Sequence, residues 1–307
     1  MFQSKTGVAA LSVASNLTLT LLKLMVGIWI GSVSVVAEAI HSGVDLFASF
    51  IALFAVRSAA KPPDEEHPYG HGKVENVSGT VEALLIFIAA GMIIFEAVGR
   101  ITRGFEPPVV DLGLVVMAIS AGANVLVSRR LLAVAKATDS VALEADAYHL
   151  TTDVVTSVGV FVGLVVVKLT GWAILDPLVA ILVAGIIIKA AWDITQRSFV
   201  DLLDRSLPKK DRERIAAILD EHGDKLVSYH QVRSRKAGSE RYIDLHLVVD
   251  GSANVKQTHD LCDHLEQDLH DALGTSTVTI HVEPCVEDCA GCQEPCEGEE
   301  RPTSKAL

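Results

Sequence analysis

Six apolar stretches restrict this chain to one kind of architecture. They run over residues 8–30, 33–56, 77–101, 112–134, 143–169 and 174–194. A helix needs about 20 apolar residues to cross the hydrocarbon core of a bilayer. Inside that core only helices and closed barrels satisfy their own backbone polar groups. Half of the 307 residues are hydrophobic and the mean hydropathy is +0.39, which is more apolar than soluble domains of this size. The pattern predicts an α-helical membrane domain of six transmembrane helices over residues 1–203. The first stretch is too long for a signal sequence and is followed by another span, so it is expected to be retained.

Two of the spans carry the same motif, Ala-acid-Ala-x-His-x-x-x-Asp. In the second span it is Ala37, Glu38, Ala39, His41 and Asp45; in the fifth it is Ala145, Asp146, Ala147, His149 and Asp153. His and Asp four apart lie one turn apart on one helix face. Two such helices facing each other offer two imidazoles and two carboxylates, a shell suited to a tetrahedral divalent cation such as zinc. Ionisable groups at bilayer depth are costly and mark transport paths or relays. Glu38 and Asp146 lie toward opposite entrances in this antiparallel pair and read as vestibule acids; helix capping is the other reading of Asp146. Lys23 in the first span reads either as a partner for a membrane acid or as a buried lysine on a carbonyl. Glu82 and Glu96 in the third span face a cavity or mark the interface.

Basic residues set the orientation. With the N-terminus in the cytosol, Lys5, Arg57, Lys61, Lys73, Arg129, Arg130 and Lys136 fall inside, and Arg100, Arg103 and Lys168 outside. Six spans return the C-terminus to the cytosol. The net charge of −12 concentrates in the last hundred residues. That argues against nucleic acid, which selects a basic face, and suits a domain that handles cations.

Three further groups bear on metal chemistry. The loop after the second span holds Asp64, His67 and His71, which read as a partial metal site or an ordinary polar loop. The composition changes near Asp204, and residues 204–284 alternate as α-β-β-α-β, a small α+β domain with helices against a sheet. Its His230, His246, His259 and His281, with Glu283, fall on separate elements and point to a metal site; His264 and His270 lie on its second helix. The acidic tail, residues 285–307, contains Cys285, Cys289, Cys292 and Cys296, either a soft-cation site or a disordered segment with scattered thiols. A cytosolic placement would keep these thiols reduced.

With these motifs in order along residues 6–285, the chain resembles the cation diffusion facilitator family, which includes bacterial zinc/proton antiporters. The segments that carry the resemblance are HSGVD, HLTTD, DEEHPYGHGKVE, LLDRSLP, SYHQVRSRKAG, YIDLHLVV and VTIHVEP. The resemblance implies a metallochaperone-like cytosolic domain and a homodimer in a prokaryotic cytoplasmic (inner) membrane. It implies a secondary active transporter rather than an enzyme, exporting a divalent cation in exchange for protons. The resemblance carries transport-site roles onto His41, Asp45, His149 and Asp153, a loop site onto Asp64, His67 and His71, and a cytosolic site onto His230, His246, His259, His281 and Glu283. Bacterial relatives often have Asp at the position of Glu283. Lys73 and Asp204 resemble the family's charge interlock at the dimer junction. Two His with two Asp at the transport site imply Zn2+, with Cd2+ or Co2+ as weaker passengers. The tail cysteines lie outside the shared pattern.

Two other functions compete. An intramembrane metal enzyme would need an open coordination position and a general base; four protein ligands close the shell, and no HExxH motif is present. A membrane-anchored metal sensor would need no ligands buried in its spans.

Overall fold

The computed structural model describes residues 4–30, 33–103, 112–172 and 174–285. The chain divides into two compact units, Met1–Leu202 and Leu203–Leu307. The first holds six long helices: α1 (Lys5–Ile30), α2 (Val33–Ala59), α3 (Lys73–Arg103), α4 (Leu112–Thr138), α5 (Val141–Thr170) and α6 (Leu175–Leu202). Among the described residues, five of them are long and apolar enough to cross a membrane. The remaining helix, α5, has 30 residues and carries the second His-x-x-x-Asp motif.

The distribution of side chains in this unit is that of a protein solvated by lipid. Met25, Trp29, Phe47, Phe54, Phe95 and Leu169 are exposed, while Ser12, Asn16, Asp45, Glu82 and Asp146 are buried. Apolar surface of this extent would drive association in water; the buried polar groups need internal partners or a function. One apolar core joins α1, α2, α4 and α5 around Leu53, Leu131, Leu143 and Leu150. A second joins α3, α5 and α6 around Ile86, Val183 and Ile187. α5 contributes to both cores.

Helix ends follow local chemistry. α5 stops at Gly171, which takes a left-handed conformation (φ 73°) and donates its N–H to Val167 O at 2.8 Å, a conformation glycine adopts without strain. Pro177 lies in the first turn of α6, where its missing N–H costs nothing. α3 starts at Lys73, so Lys73 and Glu75 belong to that helix rather than to the loop before it. Glu75 is buried and takes Lys5 Nζ at 2.9 Å and the Ser140 hydroxyl at 2.5 Å. It thus ties α1, α3 and the start of α5 together at one end of the unit.

α3 and α6 approach closely at Gly79. A Cβ there would meet the Ser198 side chain and, at 3.1 Å, Val141 Cγ1. Small residues permit such contact between membrane helices. Gly79→Val is therefore expected to destabilise the unit by about 1–3 kcal/mol, the usual cost of overpacking. The check is a lowered thermal midpoint in detergent.

The second unit is an α+β domain: α7 (Lys209–Glu221), β1 (Ser228–Ala237), β2 (Glu240–Val249), α8 (Val255–Leu273) and β3 (Ser276–Pro284). The sheet order is β1-β2-β3, with β1 antiparallel and β3 parallel to β2. Alternation along β2 puts Ile243, Leu245, Leu247 and Val249 into one core with Ile215 and Leu219 of α7 and Cys262, Leu265, Leu269 and Leu273 of α8. Both helices therefore cover the same face of the sheet. α8 begins with a capping box, in which the Asn254 side chain accepts from Gln257 N and Gln257 reaches back to Asn254 N.

Candidate metal centres

The first centre lies between α2 and α5. Four-residue spacing puts His41 and Asp45 on one face of α2, and His149 and Asp153 on one face of α5. The folded unit brings the two faces together. His149 Nε2 is 3.2 Å from Asp45 Oδ1, and donor atoms of His41, Asp45 and Asp153 lie within 4.8 Å of one another. His41 is exposed, Asp45 and His149 are buried, and Asp153 is intermediate. Nδ1 of His149 and Oδ2 of Asp153 are buried and have no hydrogen-bond partner. Desolvated donors without partners are costly; a cation drawn to these carboxylates and imidazoles offsets that cost.

α1 braces the site. Asn16 Nδ2 donates to Asp45 O at 3.5 Å and also to the Ser49 hydroxyl. The Thr20 hydroxyl donates to Ser42 O at 3.0 Å. Lys23 is buried and donates from Nζ to Ser42 Oγ at 2.8 Å. The sequence suggested a carbonyl or an acid for it; the Ser42 hydroxyl, one residue from His41, is a contact that it did not suggest. Asp146 is fully buried in this structure, near Ser12 of α1. Glu82 on α3 is likewise fully buried. The Glu38 side chain lies outside the described residues.

The second centre is the loop after α2. Asp64 Oδ1 accepts from His67 N at 2.7 Å and lies 3.3 Å from His67 Nδ1, while Asp64 Oδ2 is 3.2 Å from His71 Nε2. The two rings stand 4.5 Å apart. The turn is held by Gly70 N donating to His67 O at 2.9 Å. The backbone N–H of His67, followed by the two imidazoles, holds the Asp64 carboxyl below the usual carboxylate range. The loop presents three donors within 4.8 Å of one another.

The third centre follows from strand register. His230 pairs with His246 across β1 and β2, and His246 with His281 across β2 and β3. The rings form a row, with centroids 5.2 and 4.7 Å apart. Glu283 closes it: Oε1 lies 2.8 Å from His246 Nδ1, and Oε2 lies 3.4 Å from His230 Nε2. The register shifts just after His230, and Gln231 takes a positive φ of 49°, as at a β-bulge that re-aims its neighbours. The hydrogen bond from His246, with the other imidazoles behind it, lowers the pKa of Glu283.

His259 does not join this row within one chain. Its helix covers the opposite face of the sheet, and the side chain is exposed, with Nδ1 3.5 Å from Asp263. The row has alternation parity opposite to Ile243, Leu245 and Leu247, so α8 cannot reach it.

Cys285 ends the described residues, and Cys289, Cys292 and Cys296 lie outside them. Asp204 lies 3.2 Å from Arg235 Nη1, whose guanidinium sits 4.7 Å over the Tyr242 ring, a partner the sequence did not suggest. Also unforeseen was a group formed by His222, His264 and Asp268. Its signal was present, since His264-x-x-x-Asp268 repeats the spacing of the two membrane motifs.

The membrane helices with converging donors and the small α+β domain define a cation transporter of the efflux type. Residues 9–203 match the cation efflux transmembrane domain, and residues 207–285 match the cation efflux protein cytoplasmic domain. The chain belongs to this family, the cation diffusion facilitators, and is an integral membrane transporter rather than an enzyme. It is 36% identical over 290 residues to an uncharacterized transporter of Synechocystis (94% of this chain, 92% of that one). It is 34% identical over 276 residues to the cation-efflux pump FieF of Shewanella oneidensis (89% of this chain, 92% of that one). A solved structure of the putative zinc transporter CzrB, in its zinc form, aligns with 26% of this chain and 92% of that chain at 40% identity, with a TM-score of 0.26.

Proposed function

We propose that this protein exports Zn2+ from the cytosol in exchange for protons, as a homodimer in a prokaryotic inner membrane with both termini in the cytosol. The observation that carries the reading is the meeting of the two His-x-x-x-Asp faces, with His149 3.2 Å from Asp45 and with His41, Asp45 and Asp153 clustered. Two imidazoles and two carboxylates make a nitrogen and oxygen shell that zinc accepts; an all-oxygen set would favour harder ions. Cd2+ or Co2+ are the expected weaker passengers.

Zinc needs neutral imidazoles and ionised carboxylates, so binding displaces protons and protonation displaces zinc. His41 and His149 are the proton carriers, because a ring nitrogen that binds the metal can hold a proton in its place. The site loads from the cytosol, the helices rock, and the site opens outward, where protons release the metal. The protonated site then returns. The loop trio and the imidazole row bind zinc when it is plentiful and favour the active dimer, a population shift driven by binding. Lys73 and Asp204 serve as the charge interlock of that dimer.

Proteoliposomes test the exchange. Vesicles loaded acidic inside, given external Zn2+, are expected to accumulate zinc, and a protonophore to abolish the accumulation. Uptake indifferent to the pH gradient removes proton exchange. Binding without uptake returns the sensor reading.

Proton competition also fixes the sign of the pH effect. Zinc affinity measured in detergent is expected to fall as pH drops from 8 to 6, by up to about tenfold per unit for each proton displaced. A flat profile contradicts imidazole ligation.

A further inference from the structure

His222, His264 and Asp268 form a cluster that shares no residue with the imidazole row. His222 follows the last turn of α7 and is buried. Its Nδ1 lies 2.9 Å from Ile218 O. A carbonyl only accepts, so Nδ1 carries a hydrogen and donates it. In the neutral ring this leaves the Nε2 lone pair facing Asp268 Oδ2, 3.3 Å away. Nε2 of His264 lies 3.7 Å from the same carboxylate oxygen. The two rings meet edge to face with centroids 5.1 Å apart.

The His222 Nε2 lone pair and the carboxylate oxygen repel each other unless a proton or a metal ion lies between them, whereas His264 can donate from Nε2 as its neutral tautomer. A proton there would serve only the His222–Asp268 pair and would leave a buried imidazolium. One divalent ion satisfies all three donors. Tetrahedral zinc, with bonds of about 2.0–2.1 Å, sets its donors about 3.3–3.5 Å apart; the two ring nitrogens stand 3.3 and 3.7 Å from Asp268 Oδ2, and the group's donor atoms lie within 4.8 Å of one another. The Nδ1 hydrogen bond to Ile218 O is the kind of outer contact that fixes the ring of a metal-binding histidine. Glu221, Asp224 and Asp271 line the same cleft beside Lys225, giving a negative surround that draws cations. The cleft leaves space for a water as fourth ligand.

We infer that His222 Nε2, His264 Nε2 and Asp268 Oδ2 bind one zinc-class divalent cation that staples the end of α7 to α8. The site is complete within a single chain. It needs neither a second protomer nor the transport reaction, so it stands or falls independently of the exchange mechanism.

The test uses the full-length protein in detergent, stripped with chelator and titrated with Zn2+. His264 is half exposed, so diethyl pyrocarbonate reaches it, and mass spectrometry reads its modification directly. Zinc is expected to slow modification of His264 at least about tenfold in the wild type and to leave it unprotected in Asp268→Asn. Elemental analysis at saturating zinc is expected to show one equivalent fewer per chain in both Asp268→Asn and His264→Gln. Equal modification rates with and without zinc in the wild type overturn the site, whatever the folding of any variant. An unchanged zinc content in both variants also overturns it and leaves His222 and Asp268 as an ion pair only.

Discussion

Asp153→Ala is expected to reduce zinc uptake by proteoliposomes at least about a hundredfold while leaving the protein folded. Disturbing the residues behind a metal's ligands already costs about 10–100-fold in affinity or activity, and this substitution removes a ligand itself. Asp153 is the carboxylate that α5 adds to the donors of α2, and its Oδ2 has no other hydrogen-bond partner. Its loss therefore breaks no internal bond through that oxygen, which is why stability should survive where transport does not. Asp153→Asn keeps the shape and removes the charge, and is expected to fail nearly as badly. Asp45→Ala should match it in transport with a larger stability cost, since Asp45 is also 3.2 Å from His149. Near-normal uptake by Asp153→Ala, with protein recovered in wild-type amounts, would remove these residues as the transport site.

The membrane motif was legible because its information is local. His41 and Asp45, or His149 and Asp153, fall on one face of any helix that contains them, and the repeat signals that the two faces meet. The imidazole row was legible only in part. His230, His246 and His281 could be assigned to strands by alternation, but their alignment depends on the register of one antiparallel and one parallel ladder. His259 was grouped with them because composition carries no information about which face of the sheet a helix covers. The role of Glu75 was invisible, because its partners Lys5 and Ser140 are 70 and 65 residues away along the chain. The burial of Asp146 was not legible for a related reason: helical angle puts it near the motif stripe, whereas packing of the neighbouring helices decides whether that position meets water or protein. His222 carries no spacing signal of its own, and only the docking of α7 beside α8 brings it to Asp268.

The imidazole row yields the second large effect. His246→Ala is expected to weaken zinc binding at that row about a hundredfold or more and to remove one equivalent from calorimetric titration of the full chain. His246 occupies the middle strand, touches both flanking rings and carries the shortest contact to Glu283, at 2.8 Å. Its loss leaves His230 and His281 on the outer strands with no ligand between them. The same substitution has a pH signature without metal. Glu283 has a lowered pKa, chiefly through His246. A carboxyl with a depressed folded-state pKa adds stability above its unfolded pKa, near 4.3, and that stability is lost as pH falls through the folded value. The stability difference between wild type and His246→Ala should therefore be present at neutral pH and shrink on acidification below about pH 4. A gap that stayed constant into acid would mean that packing, rather than the Glu283 contact, accounts for what His246 contributes. Unaltered zinc titration would remove the row as a metal centre, and with it the row's part in any zinc response of this domain.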